Sequence, residues 1–245
     1  MLHRTHIGQD PYTELARVVV AGLRMAAQSD RPFCIALPGG KTPETFFKTL
    51  VRDFREAPWA VAQFFFSDER AVGPEHPESN YRAAHEHLLG PLAISPHRIH
   101  RMQGEAKNLD LEADRYAHLM RKQVAVNAAG IPQFDMIILG LGADGHVASL
   151  FPETKVLNET GRWVAPVLVA KLCAWRVTFT FPVLNAALQL AVLATGEQKA
   201  QIVAEVIASQ TGSLPAHSYP ACLLKPVNGV DWYLDTAAAA RIVSK

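Results

Sequence analysis

Cysteine is scarce in this chain. Cys34, Cys173 and Cys222 are the only three among 245 residues. They lie far apart and form neither a Cys-x-x-Cys pair nor a zinc-ligand spacing, so the sequence predicts no disulfide framework and a reduced compartment. Cys34 and Cys222 sit in apolar runs and read as core residues. An excess of charge is missing as well. The formal net charge is +1, which gives no reason to expect nucleic acid or an acidic membrane as a partner. No uninterrupted apolar run nears the ~18 residues of a membrane-spanning helix. The start, MLHRTHIGQDPY, lacks the apolar stretch of a secretory signal. There is no linker, repeat or low-complexity tract, no H-E-x-x-H pair and no carboxylate cluster for a metal. What remains is a chain that is 49% hydrophobic and 19% charged, enough for a sizeable core. The expectation is one cytoplasmic domain over residues 1–245, without cofactor, as a monomer or small homo-oligomer.

The order of apolar and polar stretches predicts an α/β fold. Asp10-Pro11 reads as a helix cap followed by proline at the first helical position, and Leu15, Val18, Val19, Leu23 and Ala26 continue at helical spacing. The strand 33-FCIAL-37 is followed by the turn 38-PGGKTP-43, with Thr42-Pro43 as cap and first helical residue of the next helix. The strand 61-VAQFFF-66 is followed by the polar loop 67-SDERAVGPEHPESN-80 and a helix to Leu89, with Gly90 as its C-cap. A helix over about 108–128, the strand 134-FDMIIL-139, strands over 176–181 and 190–195 around a helix at 182–189, and a helix opening at 196-GEQK-199 follow. A strand at 232–234 and a short alanine-rich helix close the chain. Alternation of this kind implies a mostly parallel sheet with helices on both faces. In such sheets ligands bind beyond the carboxyl ends of the strands. Four polar loops start there: 38–43, 67–80, 140–149 and 196–199.

Each loop carries residues suited to an anionic, oxygen-rich ligand. In 38–43, Gly39 and Gly40 let backbone N–H groups approach an anion, Lys41 adds a cation and Thr42 a hydroxyl, at a helix N-terminus that favours negative charge. An ordinary tight turn is the plain alternative, and the spacing is not that of a P-loop. Asp68 and Arg70 follow an apolar strand directly. Asp68 suits hydroxyl orientation or proton transfer, and Arg70 suits bidentate contact with anionic oxygen. Arg176 and Lys199 open a strand and a helix, and with Lys41 would surround one phosphate.

The loop 140-GLGADGHVASLFP-152 has the lettering of a dinucleotide-binding turn. Pro152 limits any helix after Gly145 to about two turns, and no acidic residue ends a following strand about 20 residues on, as that fingerprint requires. The loop reads instead as a glycine turn presenting Asp144 and His146. His146 titrates near neutrality and can take a proton from water and return it, with Asp144 orienting the imidazole. Ser149 lacks the G-x-S-x-G elbow of a serine nucleophile.

Taken together, 39-GGKTP-43, 68-DERAV-72 with 76-HPESNY-81, 140-GLGADGHVASLFP-152, 176-RVTFTFPVLN-185 and 196-GEQK-199 resemble the 6-phosphogluconolactonase family, in the family's order and over nearly the whole chain. The resemblance implies the Rossmann-like fold of the glucosamine-6-phosphate deaminase/ribose-5-phosphate isomerase type. It implies a sugar-phosphate lactone as substrate, His146 as general base on water, Asp68 and Arg70 beside the reacting sugar, and Gly40, Lys41, Thr42, Arg176 and Lys199 at the phosphate. Lys41 departs from the serine often found there. The deaminase branch carries an acidic residue five positions after the histidine, where this chain has Phe151. An amino-sugar phosphate deaminase or isomerase, and a non-catalytic sugar-phosphate sensor, are the competing readings.

Overall fold

The computed structural model describes residues 3–40, 42–212 and 219–242. Nine strands form among them: β1 (Arg4–Gly8), β2 (Phe33–Leu37), β3 (Ala62–Phe66), β4 (Asp68–Arg70), β5 (Met136–Gly140), β6 (Val164–Val169), β7 (Ala174–Phe179), β8 (Leu190–Ala194) and β9 (Val230–Asp235). Six of them pair as one sheet in the order β1-β9-β8-β5-β2-β3, every pairing parallel. The other three, β4-β7-β6, pair as a small antiparallel sheet. The expected mostly parallel sheet is therefore present, with a second sheet beside it.

The helices are α1 (Pro11–Gln28), α2 (Thr42–Asp53), α3 (Asn80–Ala84), α4 (Leu109–Gln123), α5 (Phe181–Ala186) and α6 (Ala200–Gln210). The central strands are apolar throughout because both of their faces are covered. Successive side chains point to opposite faces, so Ile35 and Leu37 of β2 join α1 and α2 in one core, while Cys34 and Ala36 join α4, α5, α6 and the small sheet in the other. Helices thus cover both faces. The Asp10 carboxylate caps α1 by accepting from the N–H of Thr13 at 3.0 Å. Among the described residues no helix is long and apolar enough to cross a membrane.

Several boundaries differ from the expectation for identifiable reasons. Asp68–Arg70 is a strand, not loop, because β7 supplies its backbone partners. Three charged residues in a row carry no strand signal of their own. The strand β1, with one aliphatic residue in five, is held at the sheet edge by β9 and by a bidentate Arg4–Asp231 pair at 2.5 and 2.8 Å. α2 starts at Thr42 itself. α4 ends at Gln123, where Val124 turns extended. After α3 the chain continues as a π-helical turn over His85–Leu89, and Gly90 caps it as expected, though with a right-handed φ of −65°; the chain turns at Ala93, with φ +51°. Residues 146–154 form no helix, and residues 236–241 form turns rather than a helix. Most of the loop 210–220 lies outside the described residues.

The four loops singled out above follow β2, β3, β5 and β8, and these four strands are consecutive neighbours in the sheet. Ser67 joins the two sheets. Its N–H donates to the carbonyl of Leu37 at the end of β2, at 3.0 Å, and its own carbonyl accepts from Phe179 N–H of β7 at 2.8 Å. Beyond β4 the chain returns to pack on the β2 turn. The Asn80 side chain lies so close to Gly39 that a Cβ there would overlap its amide. Gly39→Ala should therefore displace residues 76–81 at a cost of about 1–3 kcal/mol and lower the melting temperature by several degrees. An unchanged thermal unfolding curve would show that the contact yields freely.

Candidate active site

The four loops enclose a cavity of about 350 Å³ whose lining includes Gly39, Gly40, Thr42, Asp68, Arg70, His146 and Lys199. A second cavity of about 360 Å³ shares Asp68, Arg70 and His146, and adds Asp144, Lys171 and Arg176. His146 thus stands on the wall common to both. Lys41 lies outside the described residues. Of the residues expected at one phosphate, Gly39, Gly40, Thr42 and Lys199 share the first cavity, and Arg176 lines the second.

The glycine turn after β5 is shaped around His146. The N–H of Gly142 donates to the carbonyl of His146 at 2.8 Å, and Gly145 takes φ +75°, a left-handed conformation that favours glycine. A Cβ on Gly142 would run into the imidazole. Asp144 Oδ1 meets His146 Nδ1 at 2.5 Å. With Nδ1 engaged by a carboxylate, the ring's proton sits on Nδ1 and Nε2 is left as the basic nitrogen. Phe151 stacks on the imidazole, centroids 3.9 Å apart and planes 26° apart. Burial holds the His146 pKa below its usual 6.5, against the opposing pull of Asp144. Burial also works against the charge on Asp144, yet hydrogen bonds from Lys171 and His146 outweigh it and hold that carboxyl at about 2. Near neutral pH the pair is therefore a neutral imidazole beside an ionised carboxylate.

Asp68 is 6% exposed. Its Oδ2 accepts from Ser149 Oγ at 2.6 Å, and its backbone carbonyl accepts from Asn80 Nδ2 at 2.9 Å. Ser149 is 1% exposed and its hydroxyl donates to Asp68. The neighbouring Glu69 faces the other way. It is 2% exposed, and its carboxylate accepts from the N–H groups of Arg70, Asn80 and Tyr81 at 2.8–2.9 Å and from Ser79 Oγ at 3.0 Å. Glu69 clamps the start of α3 and so seats Asn80 against Asp68.

The cations are left without anionic partners. Arg70 and Arg176 stand directly opposite on β4 and β7, an unfavourable placement for like charges. Among the described residues neither forms an ion pair, and neither does Lys199. Burial, with Arg70 as the next cause, lowers the Arg176 pKa, and burial lowers that of Lys199. The N–H groups of Gly39 and Gly40 make no hydrogen bond among the described residues. Cations without a carboxylate partner and free N–H groups line the two adjoining cavities, Lys199 and the Gly39–Gly40 turn the first, Arg176 the second and Arg70 both, as an anionic ligand requires.

Residues 8–232 match the sequence profile of the glucosamine-6-phosphate isomerases/6-phosphogluconolactonase family. The chain belongs to this family. A 6-phosphogluconolactonase of Synechocystis sp. is 35% identical over 208 residues, spanning 85% of this chain and 84% of that protein. A solved 6-phosphogluconolactonase from Trypanosoma brucei has a TM-score of 0.83 at 27% identity, over 99% of both chains. A monomeric glucosamine-6-phosphate deaminase superposes with a TM-score of 0.78 at 19% identity, over 97% of this chain and 99% of that one. At that identity the likeness concerns the fold alone, so both branches of the family share the architecture and the choice between them rests on side chains.

Sequence reasoning gave no role to Glu69, Asn80 or Lys171. Ser79 at the cap of α3 was a local signal for the first two. Lys171 had none, because it reaches Asp144 from a turn that is 27 residues away in the chain. A histidine-resolved NMR titration should put the His146 midpoint below the usual 6.5, and Asp144→Asn should move it lower, since the carboxylate is what opposes burial. A midpoint above 6.5 in the parent would contradict the electrostatics described.

Proposed function

We propose that this chain hydrolyses 6-phospho-D-glucono-1,5-lactone to 6-phosphogluconate, the lactonase step of the oxidative pentose phosphate pathway. The observation that carries the reading is the His146–Asp144 pair with Phe151 stacked on it. At that position the deaminase branch would need a carboxylate to assist ring opening. An aromatic ring offers no proton, and it leaves the histidine to act on water.

In this account the phosphate sits against the Gly39–Thr42 turn with Lys199, and the Arg70–Arg176 pair adds positive potential from the second cavity. Anchoring the phosphate brings C1 of the lactone beside His146, and that positioning supplies much of the rate gain. Nε2 of His146 takes a proton from water, and the resulting hydroxide attacks C1. The tetrahedral oxyanion is stabilised by Arg70, which lines the wall with His146, and by N–H groups of the glycine turn. Donors of this kind contribute about 10²–10³ in rate each. The C1–O5 bond then breaks, and the imidazolium returns its proton to O5. Asp68 orients sugar hydroxyls. No protein nucleophile is involved. The free thiols Cys34, Cys173 and Cys222 suit a reducing cytoplasmic setting.

The test is disappearance of the lactone, generated in place and corrected for spontaneous hydrolysis. His146→Ala should remove nearly all of the acceleration while 6-phosphogluconate still binds. Activity within several-fold of the parent would refute the base assignment. Lys199→Ala should raise KM with a smaller effect on kcat; unchanged kinetic constants would remove Lys199 from the phosphate site. No acceleration by the parent protein would redirect the reading to the deaminase assay.

A further inference from the structure

One charged group touches the catalytic pair without being part of the cavity chemistry so far described. Lys171 sits in the turn Ala170–Leu172, at the tip of the hairpin between β6 and β7. Its ammonium pairs with Oδ2 of Asp144, the carboxylate oxygen that the His146 imidazole leaves free. The same ammonium lies 4.8 Å from the centre of the Phe151 ring, and Phe151 is the ring stacked on His146. Lys171 therefore meets both neighbours of the imidazole, the carboxylate at its edge and the aromatic ring at its face. Among the described residues this is the one ion pair that joins the glycine turn to the small sheet. That sheet also carries Asp68, Arg70 and Arg176.

We propose that Lys171 is a positioning residue for the catalytic pair: by holding Oδ2 of Asp144 from the hairpin tip, it fixes the carboxylate against His146 and the pair against the small sheet. The inference rests on His146 acting as the base. Stability is not its purpose. The Lys171 side chain is 54% exposed, and exposed ion pairs contribute little to folding. Its effect is geometric and electrostatic. His146 engages only Oδ1 of Asp144, through its backbone N–H and Nδ1, so without Lys171 the carboxylate would be held at one oxygen. A second anchor on the other oxygen fixes its orientation.

The ammonium also sets the charge balance around the imidazole. The groups facing His146 are Asp144 on its own turn, Asp68 from β4 and Lys171 from the hairpin, with Arg70, Arg176 and Lys199 on the cavity walls. The two carboxylates favour the imidazolium, and Lys171 disfavours it. Removing Lys171 leaves the full charge of Asp144 to the imidazole. The protonated, non-basic form of His146 then persists to higher pH. The acid limb of kcat/KM should accordingly move upward.

The experiment uses the full chain with Lys171→Met, which keeps a long apolar stem, and Lys171→Arg, which keeps the charge. His146→Ala is run in parallel. Lactone hydrolysis is measured across the acid limb, and melting temperatures are recorded for each variant. The expected result for Lys171→Met is a kcat lower by about ten- to a hundredfold, the loss typical of a misplaced catalytic group. KM should stay within about twofold of the parent, the acid limb should move to higher pH, and the melting temperature should be close to that of the parent, as expected for an exposed pair. Lys171→Arg should recover most of kcat and return the limb. A Lys171→Met enzyme with parental kcat and an unmoved limb overturns the inference. So does a raised KM with kcat and limb unchanged, which would make Lys171 a substrate-side cation. Retained activity in His146→Ala would instead overturn the base reading beneath it, so the two failures are distinguishable.

Discussion

The site depends on one backbone crossing. At Ser67 the chain leaves the parallel sheet and enters the small antiparallel one, and the residue is bonded to both, through Leu37 on one side and Phe179 on the other. Ser67 is fully buried, so water offers its N–H and carbonyl no alternative partners. Because Asp68 and Arg70 follow at once, this crossing fixes them over the carboxyl edge of β2 and β3. The antiparallel register of β4 with β7 then brings Arg176 opposite Arg70 and Thr178 opposite Asp68. From Thr178 the order extends to the glycine turn, since Thr178 Oγ1 accepts from the N–H of Ser149 at 3.1 Å while Ser149 Oγ donates to Asp68. His146 is held three residues from that double contact. A large rigid core on both faces of the sheet supports these positions, and catalytic groups need such support to keep their geometry.

The charges within this frame are sorted by sign. The carboxylates are satisfied: Asp144 by His146 and Lys171, Asp68 by Ser149 on Oδ2 and by Ser67 and Asn80 on Oδ1, and Glu69 by three backbone N–H groups and a serine. The cations of the cavities have no carboxylate partner among the described residues; the guanidinium groups of Arg70 and Arg176 donate only to the backbone carbonyls of Glu78 and Trp175. Arg70, Arg176 and Lys199 are drawn from separate elements toward a space that an anion would fill. Such an arrangement is unfavourable for the empty protein and favourable for the occupied one, which is the signature of a binding site rather than of a stabilising network. In the proposed reaction the Asp144–His146 pair serves the proton transfer and Arg70, Arg176 and Lys199 serve the ligand, so these two tasks fall to different side chains.

Much of this was legible in the sequence because the central strands announce themselves. FCIAL, AQFFF and MIIL are too apolar for anything but a doubly covered sheet, and each is followed by a polar loop. The loops that close the cavity, and the residues Asp68, Arg70, Thr42, His146, Asp144 and Lys199 on them, could be named for that reason. The strand at Asp68–Arg70 could not, because its pairing comes from residues more than a hundred positions away, and its own side chains are charged. Nor could β1, whose place at the edge is set by Asp231 at the far end of the chain. Glu69 and Asn80 act through backbone groups and through a contact with Gly39, and Lys171 acts from a hairpin tip. Such roles are created by tertiary structure, and local sequence pattern does not carry them. The assignment of Arg176 to the second cavity is of the same kind, since a strand position alone does not say which of two adjoining cavities it faces.

The central claim is that the phosphate and the reacting carbon occupy opposite ends of the space between the β2 turn and His146. The most direct measurement is the structure of the protein in complex with 6-phosphogluconate. The account predicts the phosphate against the Gly39–Thr42 turn and Lys199, with the C1 carboxylate within hydrogen-bond reach of His146. A product bound the other way round, with its phosphate at His146, or bound outside this space, would contradict it.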